Sequence, residues 1–328
     1  MLTDGFGRIH DYLRISLTDR CNFRCLYCLP ADEESHLTSS SKERMTAEEI
    51  DRIAGIFVEH GVKKIRLTGG EPLIRKDAAE IIERIAKYPV KLAITTNGMY
   101  VDQFISVFKK AGLKSVNVSL DSLQENKFKL LTHRNEFAKV KSNIDLLLQS
   151  GFHVKVNMVV MKDYNHHEIG DFVEWTKNEN LHVRFIEFMP FPQNKWQPEK
   201  LITHKEILDT ITDRFHLVEK LHDDKHDTTK SYRIKNYAGT FAVISTMSEP
   251  FCSGCNRLRL TSDGKMRNCL FAKTETDLLT PLRNGENIEP LIRDNLLRKH
   301  YMLGGNNEEQ WAKHQTESHE RTMMGIGG

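Results

Sequence analysis

Tyr12-Leu-Arg-Ile-Ser-Leu-Thr-Asp-Arg-Cys-Asn-Phe-Arg-Cys-Leu-Tyr-Cys28 decides the fold. Its first six residues read as a short buried strand. Its last eight carry Cys21, Cys25 and Cys28 in a C-x3-C-x2-C spacing. Three thiolates can hold three corners of a cubane iron–sulfur cluster and leave one iron open for chemistry. A disulfide set fits poorly, because three is odd and no secretory leader precedes it. Zinc sites more often use C-x2-C twice or C-x2-C with two histidines. No histidine lies between Asp11 and Ser35 to complete such a set.

Outward from this stretch, residues 12 to 189 alternate between strands and helices. Strands are expected at Tyr12–Leu17, Lys64–Leu67, Lys91–Thr95, Ser115–Ser119, His153–Val160 and His182–Phe188. They are short and rich in Val, Ile, Leu and Phe, as buried parallel strands are. Amphipathic helices are expected at Thr46–His60, Asp77–Tyr88, Asp102–Ala111, Phe137–Gln149 and His166–Lys177. Thr46 and Glu49 form a capping-box pattern. Six β/α units predict a partial TIM-like barrel or a doubly wound sheet. Both place sites at the C-terminal ends of strands. Those ends carry the cysteine trio, Thr68-Gly-Gly-Glu-Pro72, Thr96-Asn-Gly98 and Ser119-Leu-Asp121.

Composition shifts after Met189, where Pro190, Pro192 and Pro198 mark a connection. A capped helix is expected at Thr203–Phe215. Strands follow at Ser231–Lys235, Thr240–Thr246 and Arg257–Thr261, with a hairpin turn at Ser262–Lys265. The division is therefore 1–190 and 191–328. Residues 33–44 and 304–320 read as polar and loosely ordered. The second part holds the other three cysteines, Cys252, Cys255 and Cys269, spaced C-x2-C-x13-C. Two separate trios argue for two sites rather than one bridged framework.

The chain has 328 residues, 39% hydrophobic and 28% charged, which is ordinary for a globular protein. A net charge of +2 gives little attraction to nucleic acid. No stretch approaches the ~20 apolar residues of a membrane span. The first residues lack an apolar signal core, so a cytoplasmic location is expected.

Gly69-Gly70-Glu71-Pro72 alone fits an ordinary strand-to-helix turn. Placed one strand after C-x3-C-x2-C, with Tyr27 before the last cysteine, it resembles the radical S-adenosylmethionine enzymes. That resemblance implies an open iron that chelates S-adenosylmethionine. It also implies reductive cleavage to methionine and a 5′-deoxyadenosyl radical. The fold it implies is α/β: a partial (β/α)6 TIM-like barrel with a C-terminal α+β region closing its open side.

A narrower likeness spans nearly the whole chain. Thr18-Asp-Arg-Cys-Asn-Phe-Arg-Cys25, Arg66-Leu-Thr-Gly-Gly-Glu-Pro-Leu73, Thr95-Thr-Asn-Gly98 and Asn117-Val-Ser-Leu-Asp121 carry its first part. Val154-Lys-Val-Asn157, Arg184-Phe-Ile-Glu-Phe-Met189, Phe251-Cys-Ser-Gly-Cys-Asn-Arg-Leu-Arg259 and the ending Gly327-Gly328 carry the rest. The set is similar to the GTP 3′,8-cyclase family of molybdenum-cofactor biosynthesis. The resemblance implies two [4Fe-4S] clusters, on Cys21, Cys25 and Cys28 and on Cys252, Cys255 and Cys269. It implies S-adenosylmethionine against Tyr27, Gly70, Ser119 and Met189. GTP would lie against Arg14, Arg66, Thr95, Lys155, Arg257, Leu258 and Arg259. Arg257, Arg259 and the tail glycines Gly327 and Gly328 would be catalytic. The product would be 3′,8-cyclo-7,8-dihydro-GTP. Partners implied are an external electron donor and a cyclic pyranopterin monophosphate synthase that takes the product. Oligomeric state stays open, with a homodimer as one option.

Charge supports this independently. From Cys252 to Lys273 five basic residues stand against one acid, Asp263. A solvated basic hairpin would look the same. Three or four charge-assisted hydrogen bonds to a triphosphate would supply about 5–10 kcal/mol before ordering costs, against about 8 kcal/mol for micromolar binding. Lys155 and Arg184 fall on buried strands. Either an ion pair with a carboxylate such as Glu187 or a site facing phosphate would explain them. The alternatives are a radical enzyme with an auxiliary cluster acting on a peptide, and a zinc-bearing binding module.

Overall fold

Branched and aliphatic residues at alternate positions make the strands, and register sets which face each side chain takes. The structure, a computed structural model, describes residues 1–28, 43–191, 194–306 and 321–327. Most of the polar loop at 33–44, Pro192, most of 304–320 and Gly328 lie outside those residues.

The first half follows the expected alternation. Strands β1 Tyr12–Ser16, β2 Lys64–Thr68, β3 Lys91–Thr96, β4 Ser115–Ser119, β5 His153–Val160 and β6 Leu181–Glu187 pair in parallel, each with the next. Helices α1 Ala47–Glu59, α2 Ala78–Ile85, α3 Val101–Lys110, α4 Glu125–Thr132, α5 Phe137–Gln149 and α6 Ile169–Trp175 connect them. The α1 cap is the expected box: Glu49 N donates to Thr46 Oγ1 at 3.2 Å and Thr46 N to Glu49 Oε2 at 2.7 Å. Helix α4 was not expected from the sequence. Its apolar face is only Phe128 and Leu131, too short a pattern to stand out.

The second half continues the same sheet. After α7 His204–Arg214 come β7 Val218–Lys220, β8 Lys230–Ile234, β9 Thr240–Ile244, β10 Arg257–Leu260, β11 Lys265–Arg267 and β12 Thr276–Asp277. The short helices α8 Leu279–Arg283, α9 Glu289–Leu297 and α10 Met323–Ile326 end the chain. Strand order is β12-β11-β10-β1-β2-β3-β4-β5-β6-β9-β8-β7. β9 lies parallel to β6, and β10 lies parallel to β1. The C-terminal region thus adds one parallel strand to each end of the six-stranded wall.

The outer face of this wall is apolar. Leu13, Ile65, Ile94, Val116, Val156, Phe185 and Leu258 are fully buried against the helices. Each such burial contributes about 1.5–3 kcal/mol. This corrects the expectation for Leu258. It alternates with Arg257 and Arg259 on β10, so its side chain enters the core, away from the cation-bearing face.

Glu187 ends β6 and is fully buried. Its carboxylate accepts from His204 N at 3.0 Å, Met247 N at 2.7 Å and Ser248 N at 3.0 Å, and from the Ser248 hydroxyl. It therefore ties the start of α7 and the loop after β9 to the sheet. The ion pair weighed for Arg184 does not form with it. Three residues apart on one strand, the two side chains take opposite faces. Glu187→Ala leaves these donors unsatisfied and is expected to lower unfolding free energy by roughly 3 kcal/mol or more in urea denaturation.

Candidate active site

The inner face of the sheet is polar where the outer face is apolar. Register brings Arg14 beside Arg66 and Arg259, Tyr12 beside Lys64 and Arg257, and Asn117 beside Thr95 and Lys155. Asn157 neighbours both Ser119 and Arg184. Together with Met189, Cys252, Cys255 and Cys269, most of these side chains line one cavity of about 760 Å³. Of the residues expected at a GTP site, Arg14, Arg66, Thr95, Lys155, Arg257 and Arg259 all line it.

Crowding of like charge is evident in their chemistry. Burial, then repulsion from Arg184, Lys64 and Arg66, pulls Lys155 down to about 8. Burial and Arg66 likewise depress Arg184, although a guanidinium stays charged at any ordinary pH. Tyr12 shows the reverse. Burial pushes its phenol up, but Arg66, Arg14 and Lys64 outweigh this and bring it to about 6. Its oxygen accepts from Arg66 Nε at 2.6 Å. Arg66 also donates to Thr95 Oγ1 at 3.1 Å. Arg184 Nε and Nη2, Asn117 Oδ1 and Asn157 Oδ1 are buried with no hydrogen-bond partner among the described residues. Polar groups in that state suit a polyanionic, base-bearing ligand.

Tyr12, Lys64, Asn117, Asn157 and Arg184 extend the expected set. The signal for the first four was the strand period, since each lies two residues from an expected ligand on its own strand; Arg184, already weighed as phosphate-facing, sits in register with Asn157.

Both cysteine trios are free thiols, half-buried. No three His, Cys, Asp or Glu side chains among the described residues converge closely enough to hold a single metal ion. A cubane puts each thiolate on a different iron, so its ligands stand further apart than those of one ion. Each trio is still close enough for its thiols to repel one another. Three thiols with no further donor grouped with them among the described residues fit a cluster with one open iron.

The surroundings of the trios differ. Burial and the nearby Glu71 carboxylate push the Cys21 thiol up to about 12. Burial also pushes Cys255 up, but Arg257 and Lys299 outweigh it and bring the thiol to about 7. Glu71, itself raised to about 7 by burial, accepts from Asn97 N at 2.6 Å, Leu73 N at 3.0 Å and Thr96 Oγ1 at 2.8 Å. A side chain on Gly70 would strike the Arg20 carbonyl, which holds the two loops in close contact. Tyr27 donates to Asp121 Oδ2 at 2.9 Å. Ser119 ends β4 just before this pair.

A second apolar cluster lies between the trios. Leu131, Met161, Phe188, Phe191, Trp196, Phe271 and Ile326 form it, with Leu26, Tyr27, Met189 and Cys269 packed against it. The tail completes it. Gly327 O accepts from Arg259, and a Cβ on Gly327 would stand 3.0 Å from Ser16 Cβ and Thr68 Cγ2. The tail therefore reaches the C-terminal ends of β1 and β2. Arg321 anchors it, donating to Asp263 at 2.6 Å and Glu275 at 2.7 Å.

The comparisons agree with this geometry. Residues 15–176 match the model of the radical SAM superfamily, and 181–302 match that of Molybdenum Cofactor Synthesis C. Streptococcus suis SuiB bound to S-adenosylmethionine superposes with TM-score 0.61 at 15% identity, over 87% of this chain and 68% of that one. Native anSMEcpe with bound AdoMet gives TM-score 0.61 at 14% identity, over 96% and 93%. These likenesses concern the fold alone. Sheet, open-iron thiol set and family model together define a radical S-adenosylmethionine protein.

Sequence relatives narrow the class. An Arabidopsis thaliana protein named GTP 3′,8-cyclase, mitochondrial, is 46% identical over 294 residues, 89% of this chain and 75% of its own length. A GTP 3′,8-cyclase of Thermodesulfovibrio yellowstonii is 42% identical over 300 residues, 90% and 92%. The chain belongs to the GTP 3′,8-cyclase family. It spans about half the length of the animal relatives, 50% of the Drosophila melanogaster protein named Molybdenum cofactor biosynthesis protein 1.

Arg321→Ala removes the ion pairs with Asp263 and Glu275. It is expected to make the bonds after residue 321 cut several-fold faster in limited proteolysis, with urea stability of the sheet unchanged.

Proposed function

We propose that this chain is a radical S-adenosylmethionine enzyme that cyclises GTP to 3′,8-cyclo-7,8-dihydro-GTP. The observation that carries the reading is one cavity lined at once by a row of cations, Arg66 and Arg259 buried among them, and by the second cysteine trio. A cavity of about 760 Å³ with this charge suits a nucleoside triphosphate better than a peptide.

Cys21, Cys25 and Cys28 hold the first [4Fe-4S] cluster in this reading, and Cys252, Cys255 and Cys269 the second. Tyr27, Gly70, Ser119 and Met189 receive S-adenosylmethionine. When bound, these cofactors supply one-electron radical chemistry. The chain supplies the rest. Arg14, Arg66, Lys155 and Arg184 neutralise the triphosphate in a site already arranged before binding. Thr95, Asn117 and Asn157 offer polar atoms that orient the nucleoside. Arg257 and Arg259 set the reacting end, with the tail reaching it at Gly327; Gly328, expected to act with it, lies outside the described residues. The apolar cluster from Leu131 to Ile326 keeps water from the path between the two trios.

Residues 1–190 carry the first cluster and S-adenosylmethionine, and 191–328 the second cluster and part of the GTP site. Electrons come from an external donor, and the product passes to a cyclic pyranopterin monophosphate synthase. No helix among the described residues is long and apolar enough to cross a membrane. Cysteine use as ligands favours a reducing compartment, and the cytoplasm is the proposed one.

Anaerobic protein given GTP, S-adenosylmethionine and dithionite should yield 5′-deoxyadenosine and a new isomer of GTP, separable by chromatography and read by mass. 5′-Deoxyadenosine with GTP left intact would sink the proposal. Cys252→Ser should lose most GTP turnover while retaining some cleavage of S-adenosylmethionine.

A pH dependence follows from Lys155. Its ammonium, lowered to about 8, is charged below that pH and neutral above it. GTP affinity should therefore fall as pH rises from 7.5 to 9.5, by up to about tenfold per unit above 8. Equilibrium dialysis at three pH values reads this, and Lys155→Arg should flatten the slope.

A further inference from the structure

Lys299 follows α9, and its side chain turns beneath the second trio. The residue is only 5% exposed. Its ammonium donates to the carbonyls of Asn268 and, at 3.4 Å, of Arg257, and lies 3.9 Å from Cys255 Sγ. Asn268 immediately precedes Cys269, and Arg257 follows Cys255 by two residues. One buried charge thus joins the two segments that carry these thiols.

A buried ammonium is costly unless its protons find acceptors. Two carbonyls take two of the three protons, and the third faces sulfur. A neutral thiol is a weak acceptor, whereas a thiolate is a strong one. Arg257 Nη2 lies 3.8 Å from the same sulfur. Among the described residues the first trio has no such cation in contact: Cys21 Sγ receives the neutral groups Phe23 N at 3.4 Å and the Asn97 amide at 4.0 Å. Buried Glu71 and Asp121 stand near that trio instead. Among the described residues carboxylates thus act more strongly than Arg134 on the first trio, while Arg257 and Lys299 act on the second.

We propose that Lys299 tunes the second iron–sulfur cluster, raising its reduction potential above that of the first. A cluster gains negative charge on reduction, so a fixed cation beside a ligand sulfur stabilises the reduced form. Net charge, hydrogen bonds to sulfur and exposure are what set such potentials. Arg257 shares this field but also lines the substrate cavity. Lys299 is absent from that lining, so its effect on the cluster separates from binding. The inference rests on the reading that Cys252, Cys255 and Cys269 hold a cluster.

The test is a potentiometric titration of anaerobic holoprotein followed by electron paramagnetic resonance. The second cluster's wave is identified as the one kept when Cys21, Cys25 and Cys28 are all changed to alanine. Lys299→Met should shift that wave at least tenfold toward the oxidised form, about 59 mV for one electron. The first wave should stay in place, and Lys299→Arg should keep the wild-type value. An unmoved second wave in Lys299→Met overturns the proposal. If that variant fails to load iron, Lys299→Gln, which keeps a donor for the carbonyls without the charge, decides by the same shift. Loss of iron in both overturns tuning in favour of a folding role. A wild-type protein with no second wave would instead overturn the cluster reading.

Discussion

Like charges forced together on the inner face of one sheet are the constraint from which the rest follows. Arg14, Lys64, Arg66, Lys155, Arg184, Arg257 and Arg259 share this face or its rim. Backbone register leaves them no freedom to separate, since neighbouring strands hold them side by side. Among the described residues the carboxylates lining the cavity are Asp11, Asp224 and Asp227. Such an arrangement opposes folding. It is offset by the continuous apolar layer on the other face and by the helices packed against it. A site that must grip a highly charged ligand gains from repulsion built in beforehand, because binding relieves it.

The division of faces was largely open to reading. Strand positions, the capping boxes and the turn after β2 are local signals, and local signals survive in a single sequence. The cysteines were legible for the same reason: their spacing is the information. Leu258 was misplaced because a motif names neighbours without assigning faces. Arg184 and Glu187 looked like a pair by charge, yet an odd separation along a strand sends them apart. Tyr12 was legible as a neighbour of Arg14 by strand period but its crowded charge was not, and Lys299 carried no local mark, because what makes it notable is charge brought from distant segments. The partners of β9 and β10 were hidden likewise. Pairing at opposite ends of a sheet leaves no trace in either strand's own pattern.

The apolar cluster between the trios gives the site its economy of parts. Loop residues after β1, the connection after β6, the segment around Phe271 and the tail all place side chains in it. Phe191 stacks on Phe271 at 5.7 Å, which ties the connection after β6 to the segment that follows Cys269. Disturbing one contributor therefore disturbs side chains packed beside both cysteine trios. Coupling between the sites needs no dedicated relay when they share one packed layer.

The pairing of β1 with β10 also sets an order of assembly. Tyr12 meets Arg257 only after most of the chain has been made. Closing so long a loop is slow and entropically costly, while β1 to β6 can pair successively as they emerge. During synthesis the parallel wall therefore forms with its first edge bare. A bare edge of that kind invites pairing with other chains. The last segments to arrive both cover it and bring Arg257 and Arg259 to the crowded face. The nascent protein thus takes on the last of its electrostatic strain at the final step, when the apolar layer that must bear it is already packed.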